Sequence, residues 1–262
     1  IRIIQMKNLS FIGCGHLAKC LIQGLSKNTE FQISGFDLFQ GSLEWLESNG
    51  HKILNLQDCC QQSDIIFLCV KPQDMPTLCN DLKQYLKEGQ EVVSVAAGIK
   101  LEKLKELLPG ANITRVMTNV GTRDNLGVTA IFSQKINEDI VSLFNFLGKA
   151  FLVDNEDQID LHTVLIGSGP AFFYDLLNEF EDKMEDIIDD KDMKREITIL
   201  FLTSIISAIK NGENLDTLVD SVASKGGTTE AGLKFLREKN FNSIFSEAVD
   251  KGVERAKKLS MD

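Results

Sequence analysis

The chain has 262 residues, 43% hydrophobic and 25% charged, the profile of a folded protein with room for one large domain or two ordinary ones. Its net charge of −10 argues against nucleic acid as a partner, because phosphate binding needs a basic surface. Six cysteines (Cys14, Cys20, Cys59, Cys60, Cys69 and Cys79) lie in the first third with no CxxC pair and no histidine at zinc-ligand spacing, so thiols in a reducing cytoplasm are expected rather than disulfides or a metal site.

Met6 reads as a natural start, which leaves residues 1–5 as either a leader or a remnant of added sequence. No basic region followed by an apolar block, and no Arg-rich presequence, marks export or import into an organelle, so a cytoplasmic protein is expected. From about residue 8 to 155, short β-rich runs alternate with helical stretches. "LSFIG" (9–13), "FQISGF" (31–36), "DIIFLCV" (64–70), "EVVSVAA" (91–97), "ITRVMT" (113–118) and "VTAIFS" (128–133) read as strands, with helices between them such as 73–87 and 100–108. Several strands are apolar on both faces, as parallel strands covered by helices on both sides should be. A doubly wound α/β domain follows.

The first strand runs into "GCGHLAKC", which places Gly13, Gly15 and Ala18 in the order G-x-G-x-x-A between a strand and a helix. In that context the first glycine permits a tight turn, the second lets the backbone approach a pyrophosphate, and the small third residue lets helix and strand pack closely. Asp37, at the end of the second strand and 24 residues after Gly13, is placed to accept hydrogen bonds from the adenosine ribose and to repel a 2′-phosphate, which favours NADH over NADPH. Capping of the next helix is the alternative role for it. Lys71 and Pro72 follow the strand at 64–70, and the strand at 91–97 runs into Gly98; carboxyl ends of strands are where such a sheet places its ligand.

Beyond about residue 156 the pattern is all helical: 156–188, 193–211, 214–223, 228–238 and 241–259. The acidic stretch 175–192 carries nine Asp or Glu and repeats Phe180, Met184, Ile187 and Ile188 at helical spacing, so a solvated helix face is expected there rather than a metal site. Helix 193–211 is apolar nearly all round, which predicts a subunit interface, and its interruptions by Thr198, Thr203, Ser204 and Ser207 argue against a membrane span. "SKGGTTEAGL" (224–233) then sets two glycines and two threonines before a helix. Free amides and hydroxyls at such a start fit a carboxylate, a phosphate or an ordinary helix cap.

Taken in order, "FIGCGHLAKCLIQGL", "DIIFLCVKPQ", "SVAAGI", "RVMTN", "GSGPAFFY" and "SKGGTTEAGL" give a chain that closely resembles the pyrroline-5-carboxylate reductase family over nearly its whole length. The resemblance implies an N-terminal Rossmann domain (6–155) and an all-α dimerisation and substrate domain (156–262). It also implies at least a homodimer, with larger rings in many members, and a substrate site at the dimer interface beside the nicotinamide. The family reduces a five-membered cyclic imine carboxylate to proline with NADH or NADPH, the last step of proline biosynthesis. Its substrate contacts map to Ser224, Gly226, Gly227, Thr228 and Thr229, with Glu213 corresponding to a family glutamate. Its cofactor contacts map to Gly13, Gly15, His16, Leu17, Lys71, Pro72, Ala97 and Gly98. Thr229 is expected to hydrogen-bond the ring nitrogen. A substrate that arrives protonated needs no strong protein acid, and among His16, His51 and His162 no histidine acid is evident. Two departures are plain: Lys225 replaces the family's usual proline, and "MTNVG" ends in Gly121 where proline is usual. A β-hydroxy-acid dehydrogenase of the same plan, or a dinucleotide-binding dimer without turnover, are the competing readings; the first would place a catalytic lysine after "GSGP", where none stands at the expected place.

Overall fold

The structure, a computed structural model, describes residues 6–259. The leader or remnant expected at 1–5 lies outside the described residues. The chain divides into two compact units: one holds the residues up to Ser168 together with those from Lys251 onward, the other Gly169–Asp250.

The first unit is built on one eight-stranded sheet in the order β3-β2-β1-β4-β5-β6-β7-β8. Its strands are β1 (Lys7–Ile12), β2 (Phe31–Phe36), β3 (Lys52–Ile53), β4 (Ile65–Leu68), β5 (Glu91–Ser94), β6 (Asn112–Met117), β7 (Gly127–Phe132) and β8 (Gly148–Leu152). All pairings are parallel except β6 with β7. Helices α1 (His16–Leu25), α2 (Gln40–Ser48), α3 (Leu56–Gln62), α4 (Met75–Leu82), α5 (Leu101–Leu107) and α6 (Glu138–Phe146) connect the strands, and α7 (Asp157–His162) follows β8.

Alternation along the strands sorts the core into two layers, one on each face of the sheet. Leu9, Phe11, Ile65 and Phe67 join the layer with Leu21, Leu25 and Phe144, while Ile12, Ile66, Leu68 and Val92 join Met75, Cys79 and Leu104. Phe11 and Phe67 stack at 4.4 Å between ring centroids across the β1/β4 pair. All six predicted strands are present. The structure adds β3, two exposed residues long, and β8, which starts one residue after the C-cap position of α6 and leaves no turn cluster to announce it.

The second unit is helical: α8 (Gly169–Lys183), α9 (Lys191–Lys210), α10 (Leu215–Val222), α11 (Thr228–Glu238) and α12 (Phe241–Leu259), of which α12 passes into the first unit at Lys251. The expected helix 156–188 is interrupted. Thr163–Ser168 forms a π-helical stretch between α7 and α8, directly before Gly169 and Pro170, and the missing amide of Pro170 cannot continue the regular hydrogen-bond register there. The acidic stretch is a solvated face tied down locally, with Glu181 on Arg195 at 3.0 Å and Glu185 on Lys194 at 3.1 Å. Asp190 caps α9 by accepting from the amides of Asp192 and Met193.

Candidate active site

Because β1, β2, β4 and β5 run parallel, their carboxyl ends share one edge, and the chain order reverses between β1 and β4 at that edge. The glycine-rich turn sits at this switch point. Gly13 has φ +87°, and a Cβ there would lie 2.9 Å from the Cys69 carbonyl carbon and the Val70 nitrogen, so only glycine lets the turn pass the end of β4. Gly15 is the N-cap of α1 with no side-chain cap, and a Cβ built on it meets nothing within 4 Å. The turn is crowded on its inner side and open on its outer side, the shape a pyrophosphate needs to reach the first amides of a helix. Ala18 is buried under it, and His16 and Leu17 form the first exposed and half-buried residues of α1.

Asp37 follows β2 and faces this turn. Its carboxylate accepts from the Cys14 amide at 2.6 Å and from the Phe39 amide at 2.9 Å. A carboxylate has about four acceptor sites, so capacity for ribose hydroxyls remains after these two bonds. Leu38 (92% exposed) and Phe39 (70% exposed) come next, and no basic residue stands between Asp37 and Ser42. Lys71 is exposed and precedes Pro72, which opens a 3-10 turn leading into α4. Ala97 and Gly98 form the turn after β5, with Gly98 at φ +74°. The predicted cofactor residues thus come together on one edge of the first unit.

The predicted substrate residues lie on the second unit. The Gly227 amide donates to the Ser224 carbonyl at 2.9 Å, Gly226 takes φ +74°, and a Cβ on Gly227 would lie 2.4 Å from Ser224 Oγ. Gly227 is the N-cap of α11 and has no side chain to cap it, so the amides of Thr228 and Thr229 keep no side-chain partner. The positive end of the helix dipole points the same way, which makes this turn a fit for a carboxylate. Glu213 is exposed in the turn between α9 and α10, with no hydrogen bond to Ser224–Thr229.

A model of pyrroline-5-carboxylate reductase dimerisation matches residues 156–259, and one of coenzyme F420-dependent NADP oxidoreductases matches residues 8–98. Across 99% of its length the chain is 30% identical to pyrroline-5-carboxylate reductase 1 of Bacillus subtilis, covering 92% of that protein. It is 31% identical to pyrroline-5-carboxylate reductase of Pasteurella multocida, with 98% of each chain covered. The chain belongs to the pyrroline-5-carboxylate reductase family. Its fold matches that of the NADP-bound pyrroline carboxylate reductase of Plasmodium falciparum with a TM-score of 0.88, over 97% of this chain and 98% of that one at 21% identity.

Of the two departures from the family pattern, Gly121 has a local structural reason. A Cβ at Gly121 would lie 2.8 Å from the Leu126 carbonyl oxygen, in a 3-10 turn (Val120–Asp124) that packs on α1 so closely that a Cβ at Gly24 would lie 2.1 Å from the Thr122 carbonyl oxygen. Lys225 is exposed, and nothing in the structure explains it. His162 is buried, with Nε2 3.2 Å from the Val128 carbonyl, and burial moves its pKa down while carbonyl hydrogen bonds oppose that shift. It serves the packing of α7 on the sheet. All six cysteines are unpaired thiols, five of them buried, and burial pushes Cys14 up to about 12 and Cys59 up to about 11. Among the described residues no group of three or more His, Cys, Asp or Glu is arranged to hold a metal, and no helix is long and apolar enough to cross a membrane.

Two groups escaped the sequence reading. Arg115 on β6 is 2% exposed and pairs with Glu156, while Asp160 Oδ1 lies 3.9 Å from its second guanidinium nitrogen; burial moves Asp160 up, against the pull of Arg115. Glu156 also accepts from the Leu101 amide at 2.6 Å, so this cluster fastens the start of α7 to the sheet. Nothing in the spacing of 115, 156 and 160 announces it. Glu230 donates no proton but accepts the Gly226 amide at 2.6 Å, and here a signal existed: a glutamate three residues after the N-cap is capping-box spacing.

Proposed function

We propose that the chain is an NAD(P)H-dependent reductase that converts 1-pyrroline-5-carboxylate to L-proline, the last step of proline biosynthesis. The observation that carries this reading is the uncapped glycine turn before α11, in a chain matching pyrroline-5-carboxylate reductases over its whole length. The amides of Thr228 and Thr229, with Ser224, Gly226 and Gly227 shaping the turn, hold the substrate carboxylate. Thr229 Oγ hydrogen-bonds the ring nitrogen and fixes which ring face is presented. Glu213 contributes negative charge that favours the protonated imine. When bound, the reduced nicotinamide supplies the hydride that the imine carbon accepts. The protein's own contribution is position and electrostatics, since a pre-protonated iminium draws no proton from a side chain before reduction.

On the first unit, Gly13, Gly15, His16 and Leu17 hold the pyrophosphate at the start of α1, while Lys71, Pro72, Ala97 and Gly98 line the strand ends along which the nicotinamide half lies. We assign a preference for NADH. The Asp37 carboxylate repels a 2′-phosphate, and the residues after it offer no cation to bind one. The helical region from 156 onward is read as the dimerisation and substrate domain. Ile199, Leu200, Phe201, Ile205, Ile206 and Ile209 on α9 are all at least 41% exposed, an apolar face that a second copy of the chain would cover. A homodimer is therefore the smallest expected assembly, and a solution mass measurement distinguishes it from a larger ring. Six unpaired thiols fit a reducing cytoplasm.

The test is direct. Purified protein mixed with the cyclic imine and NADH or NADPH should consume cofactor and form proline, with higher kcat/KM for NADH. No proline with either cofactor would contradict the assignment.

A further inference from the structure

The turn before α11 has two amides taken, Gly226 by Glu230 and Gly227 by the Ser224 carbonyl, and the next two, of Thr228 and Thr229, left open. Gly226 donates its N–H to Glu230 Oε2 at 2.6 Å while sitting at φ +74°. Glu230 is the third residue of α11, the place from which a capping-box glutamate reaches back to the N-cap amide; here it reaches one residue further, to Gly226, because the amide of the N-cap Gly227 is bonded to the Ser224 carbonyl. Two adjacent glycines lose more conformational entropy on ordering than any other pair, and a charge-assisted bond from the helix they precede opposes their unfolding. A Gln at 230 could make the same bond without the charge.

Resting on the reductase assignment above, we propose that Glu230 is a positioning residue for the reaction: by holding Gly226 in its left-handed conformation, it keeps the Thr228 and Thr229 amides open and aimed for the substrate carboxylate. It acts through the backbone and touches neither reacting atom. Its charge works against the role, since it stands beside an anion site. Lys234 and Arg237, four and seven residues on, line the same groove as Glu230 and the two glycines, and their charges offset it; Glu238 also lines the groove and lies 3.9 Å from Lys234. The hydrogen bond and the charge therefore predict opposite outcomes for alanine at 230, which removes both, while the neutral isostere keeps the bond and loses only the charge.

Two variants separate them. Glu230→Ala should raise KM for the imine about tenfold, equivalent to about 1.4 kcal/mol, with kcat falling by less than KM rises and KM for NADH unmoved. Glu230→Gln should return KM for the imine to the wild-type value or below. Hydrogen exchange at the Gly226 amide should quicken in E230A and stay slow in E230Q. An unchanged KM in E230A, or equal impairment in both variants, overturns the proposal. If wild-type protein reduces the imine but Gly226 exchange ignores E230A, the positioning role alone fails. If wild-type protein does not reduce the imine at all, the reductase assignment fails and the role in substrate binding falls with it, whatever the exchange data show.

Discussion

Gly13 and Gly15 stand two residues apart in one turn, yet a methyl group at each should do different damage. At Gly13 the backbone has φ +87°, and the new Cβ would lie 2.9 Å from the Cys69 carbonyl carbon, the Val70 nitrogen and Val70 Cγ1. The left-handed conformation costs a non-glycine residue about 1–2 kcal/mol, and crowding a packed site adds about 1–3 kcal/mol. Gly13→Ala should therefore lose about 2–5 kcal/mol, a large share of the ~5–15 kcal/mol that holds a domain folded. Gly15 has φ −72° and ψ −167°, and its Cβ would meet nothing within 4 Å. Stability of Gly15→Ala should stay within about 1 kcal/mol of wild type, because the freedom lost by the unfolded chain is offset by the poorer fit of alanine at an N-cap. The open space beside Gly15 is where a pyrophosphate would approach. Filling it removes charge-assisted hydrogen bonds of about 1.5–3 kcal/mol, so affinity for NADH and NADPH should fall roughly 10- to 100-fold. Denaturant unfolding and calorimetric titration read the two effects separately. Unchanged Kd in G15A would refute the placement of the pyrophosphate, and wild-type stability in G13A would refute the packing argument.

Thr229→Val should lower kcat/KM for the imine by roughly 10- to 100-fold, the worth of one hydrogen bond from the charged ring nitrogen, and unchanged turnover and affinity would remove the ring-nitrogen contact. Asp37→Asn keeps the shape but discards the charge, so the NADH-to-NADPH ratio of kcat/KM should shift toward NADPH by about fivefold, as expected for a like-charge repulsion of ~1 kcal/mol near a surface; an unchanged ratio, or a wild-type protein that prefers NADPH, would sink the role given to Asp37. His162 is held neutral by burial, so its folded pKa lies below the ordinary value of about 6.5 and its contribution to stability is present above that value and lost as pH falls through the folded pKa. The wild-type Tm should therefore drop on acidification below about pH 6.5 more steeply than that of His162→Gln, and parallel pH profiles would contradict this.

Much of the first unit could be read from the sequence because two periodicities agree there: runs such as "DIIFLCV" are apolar on both faces, and the glycine turn falls between a strand and a helix. β3 and β8 escaped because one is two residues long and the other has no turn residues before it. The helix starts at 228 and 241 were legible from their flanking residues, whereas the π-helical stretch at Thr163–Ser168 escaped although Pro170 follows it, since a register change within a helix leaves the apolar spacing nearly intact. Asp37 was found, but its bond to the Cys14 amide was not, because a side chain that orders a turn 23 residues away carries no local mark. Arg115 shows the same limit: a charged residue inside "ITRVMT" reads as a flaw in a strand until Glu156 and Asp160 are brought against it.

A crystal structure with oxidised or reduced dinucleotide and proline bound together tests the central claim most directly. The proline carboxylate should accept hydrogen bonds from the Thr228 and Thr229 amides, with the ring carbon about 3–3.5 Å from the nicotinamide C4. Proline bound away from the Ser224–Thr229 turn, or a nicotinamide beyond reach of it, would contradict the account.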